Sequence, residues 1–529
     1  MPRVTIDNQA VEVPEGATIL DAAKQLGIEI PTLCHLDGCR PNASCMVCVV
    51  RINGRADLSP SCATPVVDGM VIESETEAVH EARRTALELL LSDHSGDCLA
   101  PCVNGCPAHM DISSMNRLIA ADDLRGAIEV VKADIPLPAT LGRICPAPCE
   151  PSCRRAAVGG SVAICKLKQY VADQDLETDA AYVPTCEPHC GKSVAVVGAG
   201  PSGLSAAYFL LRAGVDVDVF DRNTLPGGAL RYEIPPERLP RDVLNGEIDV
   251  IRRMGARFHA DEALGAEISL EQLQLAYDAV VIATGGVDTD LLGHMGLETT
   301  RQGLRINPES FGTNLEGVFA AGGAVRPSKL AIRSIAEGKA VAGCVVQYLE
   351  GKDIQRPDEV GFNVRLGKLT AEQLTGWFES ASREARHEPE NPVQGLDAEA
   401  AREEAMRCLH CECGAQEDCR LREQAAKYQA NPKRFSGGIG RPVSLRVEHP
   451  FVLYEPGKCI ACGLCVQIAE RDREALGLTF VGRGFNVHID APSGARLDEA
   501  LRVKAQECAE ACPTGALSLR AGVAISEPR

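Results

Sequence analysis

The stretch Lys192–Ala207, KSVAVVGAGPSGLSAA, leaves this chain few folds to choose from. Ser193 to Val197 read as a buried parallel strand that runs directly into G-A-G-P-S-G and then into a helix of small residues. Gly198 permits the tight turn, Gly200 lets the backbone approach a pyrophosphate, and Gly203 lets the helix pack close to the strand. Pro201 and Ser202 open the helix, whose free N–H groups face the phosphates. A second strand, VDVDVFDR, brings Asp221 to a position 18 residues after Gly203, where an acidic side chain would take the adenine ribose hydroxyls. A strand before the glycines, a helix after them and an acid at this distance together point to a dinucleotide site in a Rossmann-type fold.

Composition says what else the chain can be. Its 529 residues are enough for three or more domains, and a net charge of −19 argues against nucleic acid as a partner. No apolar run approaches the ~20 residues a membrane helix needs, and the N-terminus has no apolar signal core. The expectation is a cytoplasmic protein without membrane insertion. Its 24 cysteines then need another role than disulfides, which rarely persist in the cytosol. They fall in tight groups, as iron–sulfur or zinc ligands do, and groups this numerous beside a flavin favour iron–sulfur.

The flavin follows from the order of further motifs. After Asp221 and Arg222 come Gly227-Gly228, Arg231, Arg238-Leu239-Pro240, Ala283-Thr284-Gly285 and Phe319–Gly322. This order resembles the FAD half of the glutamate synthase small subunit and of dihydropyrimidine dehydrogenase. The resemblance implies FAD contacts from Gly198, Gly200, Pro201, Ser202, Gly203, Asp221, Arg222, Gly228, Arg231, Arg238, Thr284, Gly285, Gly322 and Gly323. Gly323 stands where the family has an Asp that holds the ribityl chain, so an altered FAD affinity is expected.

The cysteines divide along the chain. Residues 1–80 open with strands, a turn and a helix, then carry Cys34-x10-Cys45-x2-Cys48-x13-Cys62. This resembles the ubiquitin-like [2Fe–2S] domain of the large complex I iron–sulfur subunit and of iron-only hydrogenases, with Cys39 a spectator. Residues 81–190 read as a helical domain with His94-x3-Cys98-x3-Cys102-x3-Cys106 and then Cys145, Cys149 and Cys153 at intervals of four. The phrase GRICPAPCEPSC resembles the glutamate synthase small-subunit motif for two [4Fe–4S] clusters. That family's pairing implies His94, Cys98, Cys102 and Cys153 on one cluster and Cys106, Cys145 and Cys149 on the other. Complex I and iron-only hydrogenases also hold a cluster by one histidine and three cysteines. The alternative for His94 is an ordinary helix-end histidine interacting with the dipole. Lys168 occupies the position of the family's fourth ligand, leaving Cys165, Gln169, a solvent species or a missing cluster as alternatives.

Residues 191–352 form the expected FAD domain and 353–440 a polar connector containing Cys408-x2-Cys411-x-Cys413-x5-Cys419, which suits one [4Fe–4S] cluster or one zinc ion. Residues 441–529 read as a ferredoxin-like domain. Two-cluster ferredoxins use two C-x2-C-x2-C-x3-C runs whose last cysteines cross over. Here Ala469, Arg502 and Ala505 replace ligands, so one complete set survives: Cys459, Cys462, Cys465 and Cys512. Cys508 is a leftover.

The fold class expected is multidomain, mixing α/β and α+β parts: a ubiquitin-like [2Fe–2S] domain, a helical bis-[4Fe–4S] domain, a Rossmann-type FAD domain and a C-terminal ferredoxin-like domain. The cofactors expected are FAD, one [2Fe–2S] and up to four [4Fe–4S] clusters. The favoured function is electron transfer within a larger redox complex, with FAD joining the N-terminal cluster to the C-terminal ones. Formate dehydrogenase, hydrogenase or diaphorase-like subunits are the partners expected, and ferredoxin is a further candidate. The alternatives are a self-sufficient NAD(P)H oxidoreductase and a scaffold with structural clusters. No catalytic triad or general-base pair is evident. The resembled family's NADPH domain would sit between Gly285 and Gly317, where only Gly286 to Glu316 stand.

Overall fold

The computed structural model describes residues 1–178, 181–286, 289–357, 360–435 and 441–520. The ends of the expected connector and C-terminal domain, and two residues of the short Gly286–Glu316 segment, lie outside the described residues. The chain forms two compact units, and the second interrupts the first. The first gathers Met1–Leu99, Gly361–Ser380 and Cys411–Arg529; the second gathers Ala100–Val360 and Ala381–His410.

In the first unit, alternation of apolar residues in RVTIDNQAVEV produces an antiparallel pair, Arg3–Ile6 with Gln9–Glu12. Asp7 and Asn8 turn between them at positive φ, which short polar side chains tolerate. The five-stranded sheet runs Gln9–Glu12, Arg3–Ile6, Val71–Glu73, Val49–Ile52, Leu58–Pro60, with Arg3–Ile6 parallel to Val71–Glu73. Helix Ile19–Gln25 starts at a capping box, Thr18 with Asp21, and buries Ile19, Leu20, Ala22 and Ala23 against the core that holds Val4, Ile6 and Ile72. Each fully buried Leu or Ile there is worth about 1.5–3 kcal/mol.

Helix Glu77–Asp93 follows, capped by Thr76. Its Leu87 and Leu91 pack in one core with Leu421, Ala425 and Tyr428 of the returning chain. Arg83 is fully buried beneath it and donates to the Tyr428 hydroxyl (2.8 Å) and the Val49 carbonyl (3.1 Å). The C-terminal part adds helices Leu464–Arg471 and Ala505–Ala511 and two antiparallel pairs, Val452–Tyr454 with Leu517–Leu519 and Thr479–Val481 with His488–Asp490.

The second unit centres on a five-stranded parallel sheet in the order Val318–Ala320, Ala279–Ile282, Ser193–Val197, Asp216–Asp221, Arg257–Ala260. The glycine-rich strand lies in the middle, so strand order reverses beside it, and a ligand of such a sheet sits at the carboxyl ends of the strands there. Helices Pro201–Arg212 and Ala331–Leu349 pack against each other, close enough that Ser205 donates to the Ile335 carbonyl at 2.7 Å.

A helical layer precedes the sheet: Ile112–Ala120, Leu124–Asp134, Pro138–Ile144 and Ile164–Leu176. Its ties to the sheet layer are polar and buried. Tyr208 donates to the Lys132 carbonyl (2.7 Å), and Lys132 pairs with Asp175 at 2.6 Å. Glu247, on helix Arg241–Arg253, accepts from the backbone N–H groups of Ala139 (2.5 Å) and Thr140 (2.9 Å). Helix Pro138–Ile144 has no side-chain cap of its own, so Glu247 supplies one from across the layer.

Candidate redox centres

The flavin cradle shows as backbone that tolerates no side chains. A Cβ on Gly203 would lie 1.8 Å from the Gly198 carbonyl oxygen, and one on Gly228 would lie 2.7 Å from the Cα of Gly200. Gly200 is the N-cap of helix Pro201–Arg212, with Pro201 at its first position. Thr284 Oγ1 and Ser202 Oγ are buried without a hydrogen-bond partner in the protein, as suits groups that meet a polar ligand. Asp221 accepts from Ala199 N–H (2.7 Å) and Asn223 N–H (2.8 Å), so it also fixes the glycine turn. Buried Arg231 donates to the Pro226 carbonyl (2.6 Å) and to Asn245, shaping the loop that carries Gly228. Arg222 and Arg238 are exposed, Gly285 turns at φ 79°, and Gly322 donates to Glu337 at 3.0 Å. A Cβ on Gly323 would press on Gly285 at 3.1 Å. These glycines, free hydroxyls and helix N-terminus fit a dinucleotide.

The cysteine loops share a backbone signature. Non-glycine residues take positive φ at Ala43 and Met46, at Ala147 between Cys145 and Cys149, at His410 between Cys408 and Cys411, and at Ala461 between Cys459 and Cys462. Such turns gather successive N–H groups into concavities that suit anionic centres, iron–sulfur clusters among them.

Cys34, Cys45, Cys48 and Cys62 converge in the first unit. Cys48 and Cys62 sulfurs are 3.4 Å apart, and all four side chains are buried. Hydrogen bonds from Cys45 and Cys62 hold the Cys34 thiol far below its ordinary range, at about 2, and one from Cys62 brings Cys48 to about 7. The thiols of Cys45 and Cys62, which face Cys34, are pushed up. Four thiols so close favour shared ionisation, the state in which sulfur binds metal.

The C-terminal set lines a small, largely enclosed cavity with Cys459, Cys462, Cys465, Cys508 and Cys512. Burial raises the thiols of Cys459, Cys462 and Cys465, each with Cys512 as a charged neighbour. Cys508 is fully buried and directs its sulfur at the Cys465 carbonyl (3.7 Å).

The remaining cysteines regroup. His94 and Cys98 belong to the first unit, whereas Cys102 and Cys153 belong to the second. The pairing implied by resemblance thus draws its four residues from both units. Cys413 donates its backbone N–H to the Cys98 carbonyl (3.2 Å), and Val364 donates to the Cys98 sulfur (3.4 Å). Cys419 caps helix Arg420–Lys427, accepting from Arg422 N–H at 3.4 Å. Burial pushes its thiol up to about 12, with Cys413 and Cys98 as charged neighbours. The buried Lys458 ammonium bonds Cys413, and the Lys458 carbonyl accepts from His94 Nδ1 at 3.1 Å. That bond leaves His94 Nε2 as the lone-pair nitrogen, the arrangement of a ligating imidazole. Desolvation holds the His94 ring down to about 4, hence neutral. Cys98, Cys413 and Cys419 thus share one neighbourhood with His94, and Cys408 and Cys411 fall on opposite sides of the unit boundary.

In the second unit, burial raises the Cys153 thiol, with Cys408 a charged neighbour and Arg155 beside both. Arg155 donates to the Arg407 carbonyl at 2.9 Å. Cys102 is buried on helix Pro101–Gly105. Cys106, Cys145 and Cys149 line a separate small cavity together with Cys165 and Lys168. Lys168 was marked in the sequence by standing at the resembled family's fourth-ligand position, whereas Lys458 merely precedes Cys459 and carried no such signal.

A series emerges within the first unit. Asn42, in the loop that carries Cys34 and Cys45, donates to the Cys462 carbonyl at 2.8 Å, and Cys34 is a charged neighbour of Cys462. Cys512 is in turn a neighbour of Cys419, whose sulfur points at the Pro513 carbonyl. The N-terminal group therefore neighbours the C-terminal one within the first unit.

Four regions match family models: the 2Fe-2S iron-sulfur cluster binding domain over residues 2–77, dihydropyrimidine dehydrogenase domain II with its 4Fe-4S cluster over 69–180, the pyridine nucleotide-disulphide oxidoreductase family over 155–338, and the 4Fe-4S single cluster domain over 452–519. The NADPH-Fe(3+) oxidoreductase subunit beta of Geobacter sulfurreducens is 35% identical over 254 residues, covering 45% of this chain and 38% of the relative. The NADP(+)-dependent formate dehydrogenase subunit beta of Moorella thermoacetica is 37% identical over 207 residues, 35% of this chain and 29% of the relative. The NADP-reducing hydrogenase subunit HndD of Solidesulfovibrio fructosivorans is 56% identical over 110 residues, 20% of this chain and 19% of the relative. The matches span well under two thirds of each of these relatives. The chain combines [2Fe–2S], [4Fe–4S] and FAD-type oxidoreductase domains, and among the described residues no helix is long and apolar enough to cross a membrane.

Proposed function

We propose that this chain is an iron–sulfur flavoprotein subunit of a larger cytoplasmic redox complex, relaying electrons between partner subunits through FAD and its clusters. The observation that carries the reading is the series in the first unit, where three cysteine groups neighbour one another. Relatives named as subunits of formate dehydrogenase and hydrogenase support partners of that kind. The neighbourhoods within the first unit support the ligand sets: Cys34, Cys45, Cys48 and Cys62 for [2Fe–2S]; Cys459, Cys462, Cys465 and Cys512 for one [4Fe–4S]; His94, Cys98, Cys413 and Cys419 for another.

FAD, when bound, supplies exchange between paired and single electrons, which the clusters carry singly. The chain's own residues bind, orient and desolvate. The Gly198–Gly203 turn and the helix beginning at Pro201 hold the pyrophosphate, Asp221 keeps the turn in shape, and buried thiols keep water from the centres.

Direct hydride transfer from a nicotinamide is not part of this reading. A nucleotide-binding βαβ unit takes about 30 residues and a whole domain about 100. The described residues between Gly286 and Glu316 form one short helix, Thr289–His294, and a pair of two-residue strands. Anaerobic mixing of the pure holoprotein with NADH or NADPH should leave the flavin absorbance unchanged. Rapid stoichiometric bleaching without a partner would replace the relay by a self-sufficient reductase.

A further inference from the structure

Helix Ile164–Leu176 lines the cavity of Cys106, Cys145 and Cys149 with Ile164 and two polar residues, Cys165 and Lys168. Three apart on a helix, they share a face. A four-iron cluster held by three thiolates has one iron left for a fourth donor, and few groups near this cavity are free to supply it. Lys168 is buried, and an ammonium has three donors and no acceptor, so it offers no lone pair. Gln169 is turned away: its amide donates to the Val393 carbonyl (2.8 Å), and its oxygen accepts from Lys166 (2.8 Å). Glu150 is engaged as well, accepting from the Cys165 backbone N–H (3.1 Å) and pairing with Arg386 at 2.8 Å. Cys165 is left. Its sulfur is buried on the cavity wall and meets the carbonyl oxygens of Leu141 (3.5 Å), Gly142 (3.7 Å) and Cys145 (3.9 Å), weak S–H donations that leave the sulfur's own lone pairs for a metal.

We propose that Cys165 is the fourth ligand of this cluster, completing an all-cysteine set with Cys106, Cys145 and Cys149, and that Lys168 stands beside it as a fixed counter-charge. The inference rests on the cavity holding a cluster at all, and then assigns the donor and its electrostatic partner. A fourth thiolate makes the centre more negative and harder to reduce; the buried ammonium one turn away offsets that. Lys168 is a tuning residue, touching no iron. Together they convert what would be a ligand position at residue 168 into a charge position, with the ligand moved one helical turn earlier.

The test uses the full-length protein, purified and reconstituted without oxygen. Cys165→Ala should lose about one iron per chain and, after mild oxidation, show the paramagnetic signal of a three-iron cluster, because the iron without a thiolate is the one that leaves. Cys165→Asp, which restores an anionic donor, should recover that iron. Lys168→Gln should keep every iron but lower the reduction potential of one cluster in a redox titration followed by electron paramagnetic resonance. If Cys106→Ala loses iron and Cys165→Ala does not, the ligand assignment is wrong while the cluster stands. Unchanged iron in both would overturn the cluster and the proposal with it. A potential unmoved in Lys168→Gln would remove the counter-charge role.

Discussion

Glu247 offers a perturbation whose size can be worked out. Its carboxylate is 1% exposed and accepts from two N–H groups at the start of the helix that ends at Cys145. Burial raises its carboxyl from the ordinary 4.5 to about 7, against the lowering effect of those hydrogen bonds and of Lys132. The fold therefore favours the neutral acid. That contribution is complete below pH 4.5 and is lost as pH rises through 7. Between pH 5.5 and 8 the loss amounts to ~2 kcal/mol. Glu247→Gln cannot ionise, so its stability relative to wild type should rise by ~2 kcal/mol across that interval. Glu247→Ala removes both acceptors at every pH and strands two buried donors, a cost of ~2–5 kcal/mol. Urea unfolding followed by flavin release, at both pH values, reads these differences. Parallel pH profiles for Glu247→Gln and wild type, or an Ala variant within ~0.5 kcal/mol, would refute the reasoning.

Two further outcomes follow from the cysteine groups. His94→Cys should keep its cluster at a lowered potential, since a thiolate replaces a neutral ring, whereas His94→Ala should lose or convert it; no change in iron or potential with either variant would return His94 to a helix-end role. Cys512→Ser should lose one cluster and Cys508→Ser none, counted as iron and spin per chain; equal losses would show that Cys508, fully buried beside Cys465, is a ligand.

Local structure was legible where one strong local preference acts. The strand Ser193–Val197, its glycine turn and helix Pro201–Arg212 lie where the sequence placed them. The polar segment after Gly351 was harder. It reads as a connector because it lacks apolar periodicity, yet Gly361–Ser380 belongs to the first unit and Ala381–His410 to the second. It packs through backbone and charge instead: Leu366 donates to Asp97 at 2.7 Å, and Arg386 donates to the Ser161 hydroxyl at 2.8 Å. Cysteine grouping was harder for a related reason. Short spacing groups Cys408 to Cys419, but a cluster needs only that its sulfurs meet in space. Nothing local in the sequence says that Cys413 lies against Cys98.

The bond between Cys413 N–H and the Cys98 carbonyl has a consequence for how the protein is made. The chain emerges N-terminus first, so His94 and Cys98 leave the ribosome long before Cys413 and Cys419 exist. Closing a disordered loop of that length costs ~5 kcal/mol in chain entropy. An already folded insert, leaving and returning within a few residues of that bond, would shorten the effective loop. The interrupted unit is thus expected to mature last, and its histidine-bearing centre to receive iron only after synthesis is nearly complete. A protein truncated before Cys411 should then still load the flavin while leaving His94 and Cys98 without metal.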